Sequence, residues 1–231
     1  MATQQQAPVT VTRDPAHLVV DLGAPRPILS NAAIGGGWRT ARYVVNRTVA
    51  AGWNPPDIDT DMSDYLGQLG LPSEQCVGLL TAVHMQNLVR RREQWQGWAI
   101  EALATVGVRN AARAGGAFPL AASGSGTINV IVLIDGWLAP AAMVDAVQTA
   151  VEAKAAALAE AAVPTATGEI ATGTTTDTVT VATLGRQPSS VYAGTATTVG
   201  HCIGRAVHGA ISEGVQAALA RLNDRSDVSF S

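Results

Sequence analysis

The chain has 231 residues, enough for one large domain or two small ones, either with a full hydrophobic core. Hydrophobic residues make up 47% and charged residues 14%, against the roughly 25% charge usual in soluble domains, so part of the surface is expected to be covered by the chain itself or by a second copy. The net charge of −3 argues against a binder of nucleic-acid phosphates, and no uncharged apolar run reaches the roughly 20 residues of a bilayer span.

In chain order, Met1 to Gln6 lacks the basic and apolar blocks of a secretory signal, so the expected location is the cytoplasm. His17 to Leu22 and Pro27 to Ile34 read as two strands separated by a turn at Gly23-Ala24-Pro25-Arg26. Gly35-Gly36-Gly37 follows, where the backbone is expected to need unusual dihedrals or the close approach of a ligand. Arg42 to Ala50 is rich in β-branched residues and reads as another strand, broken by Asn54-Pro55-Pro56. Thr60 or Asp61 can cap a helix running to Leu69 and ended by Gly70 and Pro72. Val77 to Val83 is apolar, and its periodicity leaves strand and helix both open. Arg90 to Glu93 with Trp95 and Trp98 reads as a solvated hairpin end. Cys76 and Cys202 are far apart and read as buried small residues.

From Arg113 to Gly126 the chain turns small and flexible, then enters Val130-Ile131-Val132-Leu133-Ile134-Asp135, a strand pattern buried on both faces. A helix is predicted from Ala139 or Pro140 to about Ala162, with Val144, Val147, Val151 and Leu158 as its core stripe and Lys154 on another face. Thr178 to Thr183 is a strand. Val199, Ile203, Val207, Ile211, Val215 and Leu219 mark a long, well-buried helix from Thr198 to Leu222. Its polar face holds His201, Arg205, His208 and Ser212. The two histidines lie about 10.5 Å apart along the axis, too far to share a metal ion.

Chemistry concentrates in two places. Gly126-Thr127-Ile128-Asn129 sets a hydroxyl at the mouth of the most buried strand. A threonine is a poor nucleophile unless a base takes its proton, and a free α-amine on that same residue is one such base. Releasing that amine requires cutting the Gly126–Thr127 bond; the competing reading is an ordinary strand-opening threonine. Ala171-Thr172-Gly173-Thr174-Thr175-Thr176-Asp177 gathers four hydroxyls and a carboxylate before a strand, suited either to a plain turn or to orienting an amide or a water.

These motifs, with Gly35-Gly36-Gly37, Val77-Gly78-Leu79-Leu80-Thr81-Ala82-Val83, Val106-Gly107-Val108-Arg109-Asn110-Ala111, Val151 to Ala155 and Tyr192-Ala193-Gly194-Thr195-Ala196-Thr197, resemble the adenosylcobinamide amidohydrolases in order from about Ile28 to Leu219. The chain departs from that pattern at Arg109, where a small residue is expected. The resemblance implies hydrolysis of the amide joining aminopropanol to the corrin side chain, giving adenosylcobyric acid and aminopropanol in cobalamin precursor salvage. The order of Gly-Thr, buried strand, helix and Gly-Thr-Thr-Thr-Asp also resembles ornithine acetyltransferases and β-aminopeptidases, self-cleaving enzymes of four-layered αββα architecture. That likeness implies a nucleophile at Thr127 released after Gly126.

The expectation is therefore a single α/β domain over residues 16–223, with buried sheets covered by helices in an αββα four-layer arrangement, a flexible extension over 1–15 and a flexible tail over 224–231. Thr127, Asn129 and Asn110 are the expected catalytic residues, with Asn129, Asn110 or backbone N–H groups near Gly35-Gly36-Gly37 as oxyanion donors. Gly35, Gly36, Gly37, Thr81, Thr174, Thr176 and Asp177 are expected to contact substrate, and Trp38, Trp53 and Trp137 to wall a wide site. The expected partner is a corrinoid small molecule, with no nucleic acid or membrane and with a homo-oligomer possible. No cofactor is expected, because cobalt enters with the substrate. The rival classes are a non-catalytic corrinoid-binding protein and a threonine-nucleophile acyltransferase or aminopeptidase.

Overall fold

A computed structural model describes residues 8–117, 126–185 and 187–227, with side chains through Leu222. Most of the glycine-rich approach to Thr127 lies outside the described residues.

β1 (Thr10–Arg13) pairs antiparallel with β2 (His17–Ser30), so residues 10–13 of the expected extension are part of the sheet. The reason is apolar: Val9 and Val11 pack on the interior cluster. β2 is one strand of 14 residues, not two strands with a turn. Gly23, at φ +75°, opens a bulge between Asp21 and Arg26, and the Asp21 carboxylate accepts from Gly23 N–H at 2.8 Å and from Arg42 at 2.8 and 2.9 Å. A glycine in the left-handed region serves turn and bulge alike, so the sequence pattern does not separate them.

β3 (Gly37–Thr48) runs antiparallel to β2 and parallel to β4 (Cys76–Thr81). Between them lies α1 (Ile58–Gln68), capped by Asp57, whose carboxylate accepts from the Asp59 and Thr60 N–H groups, rather than by the expected Thr60 or Asp61. Asp57 wins because its extended backbone points its side chain at the open N–H groups. β5 (Val89–Trp95) and β6 (Trp98–Val106) form a hairpin whose Gln96-Gly97 turn has φ of 45° and 84°, the mirror-image turn that suits strand twist.

After β7 (Ala111–Ala112) comes the buried strand β8 (Ile128–Asp135), then β9 (Trp137–Leu138) and α2 (Pro140–Glu160). β10 (Gly173–Thr174) pairs with β7, and β11 (Thr178–Thr183) lies parallel to β8. β12 (Ser189–Ser190) pairs with β9 and leads to α3 (Thr198–Asp227), which runs into the residues expected as a loose tail.

The main sheet has the order β4-β3-β2-β11-β8-β6-β5, with β1 beside β2. In a flat sheet β3 and β6 would stand about 19 Å apart, four spacings of roughly 4.8 Å. Instead Asn46 Nδ2 on β3 is 3.1 Å from Thr105 Oγ1 on β6. The sheet is bent on itself, turning at the β2 bulge. Leu18, Val20, Val44, Val77 and Leu79 of one half pack on Leu103, Ile131, Leu133 and Ala182 of the other. α1 covers the outside of the first half through Met62 and Leu66, while α2 and α3 cover the second. The layers are thus helix, sheet, sheet, helix, built from one continuous sheet rather than separate ones.

α2 faces the core with only part of the expected stripe. Of that stripe Leu158 is buried and Val147 partly so, but Val144 is 58% and Val151 40% exposed, and Ala142, Met143, Ala146, Ala150, Lys154 and Ala157 are buried in their place. Most positions of this helix are apolar, so two neighbouring stripes fit the period, and the one rich in alanine allows the closer approach to the sheet. On α3 the expected core residues Val199, Ile203, Val207, Ile211 and Val215 are buried, and Leu219 is partly buried against the same core.

Candidate active site

The space between the two sheet layers changes character along its length. One end is closed by leucine, isoleucine and valine. The other carries the inward side chains of Ser30, Asn46, Thr81, Thr105, Asn129, Thr178 and Thr180, all buried. Strand alternation produces this: Asn129 shares its face with Ile131 and Leu133, and Thr105 shares its face with Leu103. Ser30 and Thr180 hydroxyls meet at 2.7 Å, and Asn129 Nδ2 donates to Asn46 Oδ1 and to the Leu80 carbonyl, both at 2.9 Å.

Thr127 sits at the mouth of this polar end and is 8% exposed. Its Oγ1 is 2.7 Å from Thr176 Oγ1, and the Thr176 hydroxyl also donates to the Gly126 carbonyl at 3.1 Å. One hydroxyl thus touches both the Thr127 side-chain oxygen and the carbonyl oxygen of the Gly126–Thr127 bond. The Thr127 carbonyl accepts from Gly107 N–H at 3.0 Å, which fixes the strand entry.

Asp177 holds the turn carrying Thr176. Its Oδ1 accepts from Ile128 N–H at 3.1 Å and from the Thr174 hydroxyl; its Oδ2 accepts from Thr174 N–H at 3.0 Å and from the Lys154 ammonium. Four donors fill this carboxylate's usual acceptor sites, so it organises the loop against β8 rather than facing a ligand. Lys154, buried within α2, is the site residue that sequence reasoning missed by placing it on a polar face. The available signal was its spacing of four from Ala150 and from Leu158.

Asn110 joins the same cluster. Its Nδ2 donates to Thr175 Oγ1 at 2.7 Å, and its buried Oδ1, unpaired among the described residues, faces Gly126, where a Cβ would stand 2.5 Å away. A threonine hydroxyl donates as readily as it accepts, so turning the amide over keeps the Thr175 bond and presents Nδ2 to Gly126.

Other expected residues lie apart from this cluster. Asn129 is 1% exposed, deeper in the polar layer. Thr81 closes β4, its hydroxyl accepting from Val83 N–H at 3.1 Å. Gly35 (φ +64°) is pressed against the Cys76 carbonyl and Arg39, and Gly36 against the carbonyls of Ala32 and Ser30, so these close approaches are made by the chain itself. Trp53 stands beyond the end of β3 beneath the Arg47 guanidinium, 5.8 Å from its ring. Trp137 follows the far end of β8, about 26 Å from Thr127 for eight residues at roughly 3.3 Å each, and so cannot wall a site there.

A cavity of about 270 Å³ borders the site, lined by Val83, His84, Asn87, Val106, Gly107 and Arg109 among others. Gly107 lies between this cavity and the Gly126–Thr127 bond: a Cβ on it would be 2.9 Å from Val83 Cγ2 and 3.3 Å from Thr127 N. A larger cavity, about 690 Å³, opens between α2, α3 and β5. The polar face of α3 there is spent on surface pairs, Arg205 with Glu93 at 3.4 Å and His208 with Glu160 at 2.9 Å. Among the described residues no three His, Cys, Asp or Glu side chains converge as a metal donor set, and no helix is long and apolar enough to cross a membrane.

Comparison with known proteins adds two findings. A family model described as adenosylcobinamide amidohydrolase matches residues 2–223, a span that takes in nearly all of the N-terminal segment as well. A Methanosarcina mazei protein named adenosylcobinamide amidohydrolase is 30% identical over 152 residues, 66% of this chain and 67% of that protein.

Proposed function

Because this chain belongs to the adenosylcobinamide amidohydrolase family, we propose that Thr127 is the nucleophile of its amide hydrolysis and that Thr176 is the main oxyanion donor. The enzyme is an amidohydrolase acting on adenosylcobinamide, a corrinoid small molecule, in corrinoid salvage. The carrying observation is the Thr176 hydroxyl, bonded at once to Thr127 Oγ1 and to the Gly126 carbonyl.

In the uncut chain the Gly126 carbonyl occupies the place of an electrophile. Thr127 Oγ1 attacks that carbon, the Gly126–Thr127 C–N bond breaks, and an ester joins Gly126 to the threonine oxygen. Water cleaves the ester, leaving a Gly126 carboxylate and a free Thr127 α-amine. With a pKa near 8, that amine is the base the hydroxyl lacks.

The same geometry then serves the substrate. The amine takes the proton as Oγ1 adds to the side-chain amide, and Thr176 and Asn110 hold the oxyanion. Departing aminopropanol receives the proton, and water hydrolyses the threonine ester to adenosylcobyric acid. Asp177 and Thr174 set the position of Thr176, while Asn129 and Thr81 build the floor of the polar layer. Gly35, Gly36 and Gly37 shape the strand connection rather than touch the reacting atoms. The small cavity takes a side arm, so the macrocycle rests at the mouth. No resident metal or cofactor is needed for this chemistry, and cobalt arrives with the substrate.

Aminopropanol release from adenosylcobinamide, followed with intact mass, tests the reading. Wild type should release it and appear as fragments 1–126 and 127–231. Thr127→Ala should bind corrinoid, release none and stay whole. Release by T127A at the wild-type rate would overturn the nucleophile, and an active wild type found only as one 23.7 kDa species would overturn the self-processing step.

A further inference from the structure

We propose that Lys154 is a positioning residue for catalysis, setting the Thr127–Thr176 geometry through Asp177; the inference rests on Thr127 being the nucleophile. Lys154 is 5% exposed, in the middle of a helix whose core face is otherwise mostly alanine. Burying an ammonium there is costly unless it is paired, and its partner is the Asp177 carboxylate. That pairing holds the Asp177 carboxylate, whose oxygens are hydrogen-bond acceptors, against α2. The same carboxylate takes the N–H of Ile128, the residue after the nucleophile, and both the N–H and the hydroxyl of Thr174, two residues before Thr176. One buried cation thus fixes the two chain segments whose hydroxyls meet at 2.7 Å.

Gly173 supports the same reading. A Cβ there would overlap the Asp177 carboxylate and stand 2.8 Å from Lys154 Nζ. The turn therefore passes close over the ion pair, which only a residue without a side chain permits.

A positioning role and a purely structural one make different predictions. Lys154→Met leaves an unpaired buried carboxylate, so it lowers both stability and rate under either role. The double variant Lys154→Met with Asp177→Asn removes both charges, and stability is expected to recover. The carboxamide that replaces the Asp177 carboxylate cannot accept all four hydrogen bonds, so the Thr174–Thr176 turn stays misplaced. Aminopropanol release by the double variant is then expected at least 100-fold below wild type in kcat, with KM within threefold. Lys154→Arg, which keeps the charge, should restore release to within about tenfold of wild type.

The assay is kcat and KM for release from adenosylcobinamide, beside a thermal melt of each variant. A double variant with a recovered melt and near-wild-type kcat would overturn the proposal, as would Lys154→Arg no more active than Lys154→Met. If K154M does not accumulate, the double variant carries the comparison alone. T127A run alongside separates the two readings: a fully active T127A removes the nucleophile itself, whereas an inactive T127A beside a fully active double variant removes only the role of Lys154.

Discussion

Replacing Thr176 by valine removes one hydroxyl and little else. Valine keeps the branched shape, and position 176 is exposed, so the fold should change in stability by no more than about 0.5 kcal/mol. Two hydrogen bonds are lost, to Thr127 Oγ1 at 2.7 Å and to the Gly126 carbonyl at 3.1 Å. If that carbonyl marks where the substrate oxyanion forms, the loss falls on the transition state. Removing one such donor typically costs about 10²–10³ in kcat, or about 2.7–4 kcal/mol. The expected result is a 100- to 1,000-fold lower rate of aminopropanol release with an unchanged melting temperature, and slower cleavage after Gly126. Thr176→Ser, which keeps the hydroxyl, should recover most of the rate. A valine variant that is fully folded and within twofold of wild type would show that the Thr176 hydroxyl does not face the reacting carbonyl.

Two further outcomes follow from packing and charge. A Cβ at Gly214 on α3 would overlap Val106 Cγ2 and stand 2.8 Å from Val106 Cβ, so Gly214→Ala should lower stability by about 1–3 kcal/mol in denaturant titration while the folded fraction keeps its kcat. The Asp21 carboxyl is held below the usual carboxylate range, chiefly by the Arg42 guanidinium and also by Gly23 N–H. A lowered folded-state pKa stabilises above the unfolded value near 3.9 and loses that contribution as pH falls through the folded one. Arg42→Met should therefore be less stable than wild type at neutral pH, with the gap closing as acid unfolding is followed below about pH 4.

Local patterns were legible from the residues alone. β11 begins and ends where its β-branched run does, the hairpin end read from Arg90 to Trp98 is that of β5 and β6, and Gly70 closes α1. Thr127, Asn110, Thr174, Thr176 and Asp177, which the structure brings into one cluster, were singled out through a family likeness more than through spacing. What escaped was non-local. Asn46, Thr81, Thr105 and Asn129 come from four strands and form one polar layer only because the sheet bends. Lys154 looks like an ordinary helix-surface lysine because nothing near it in sequence announces Asp177, 23 residues away. Asp177 itself looks free to meet a ligand until its four donors are in view.

The bend at Gly23 has a consequence for how the molecule comes apart. Residues 17–22 of β2 belong to one layer, and residues 28–30 to the other through their pairing with β11. Neither layer can open alone without breaking a strand they share. Amide exchange should accordingly report a single cooperative unit spanning β2, β3, β8 and β11, with the protons of β8 among the last to leave. The hydroxyl at the head of β8 is then anchored to the part of the protein that fluctuates least.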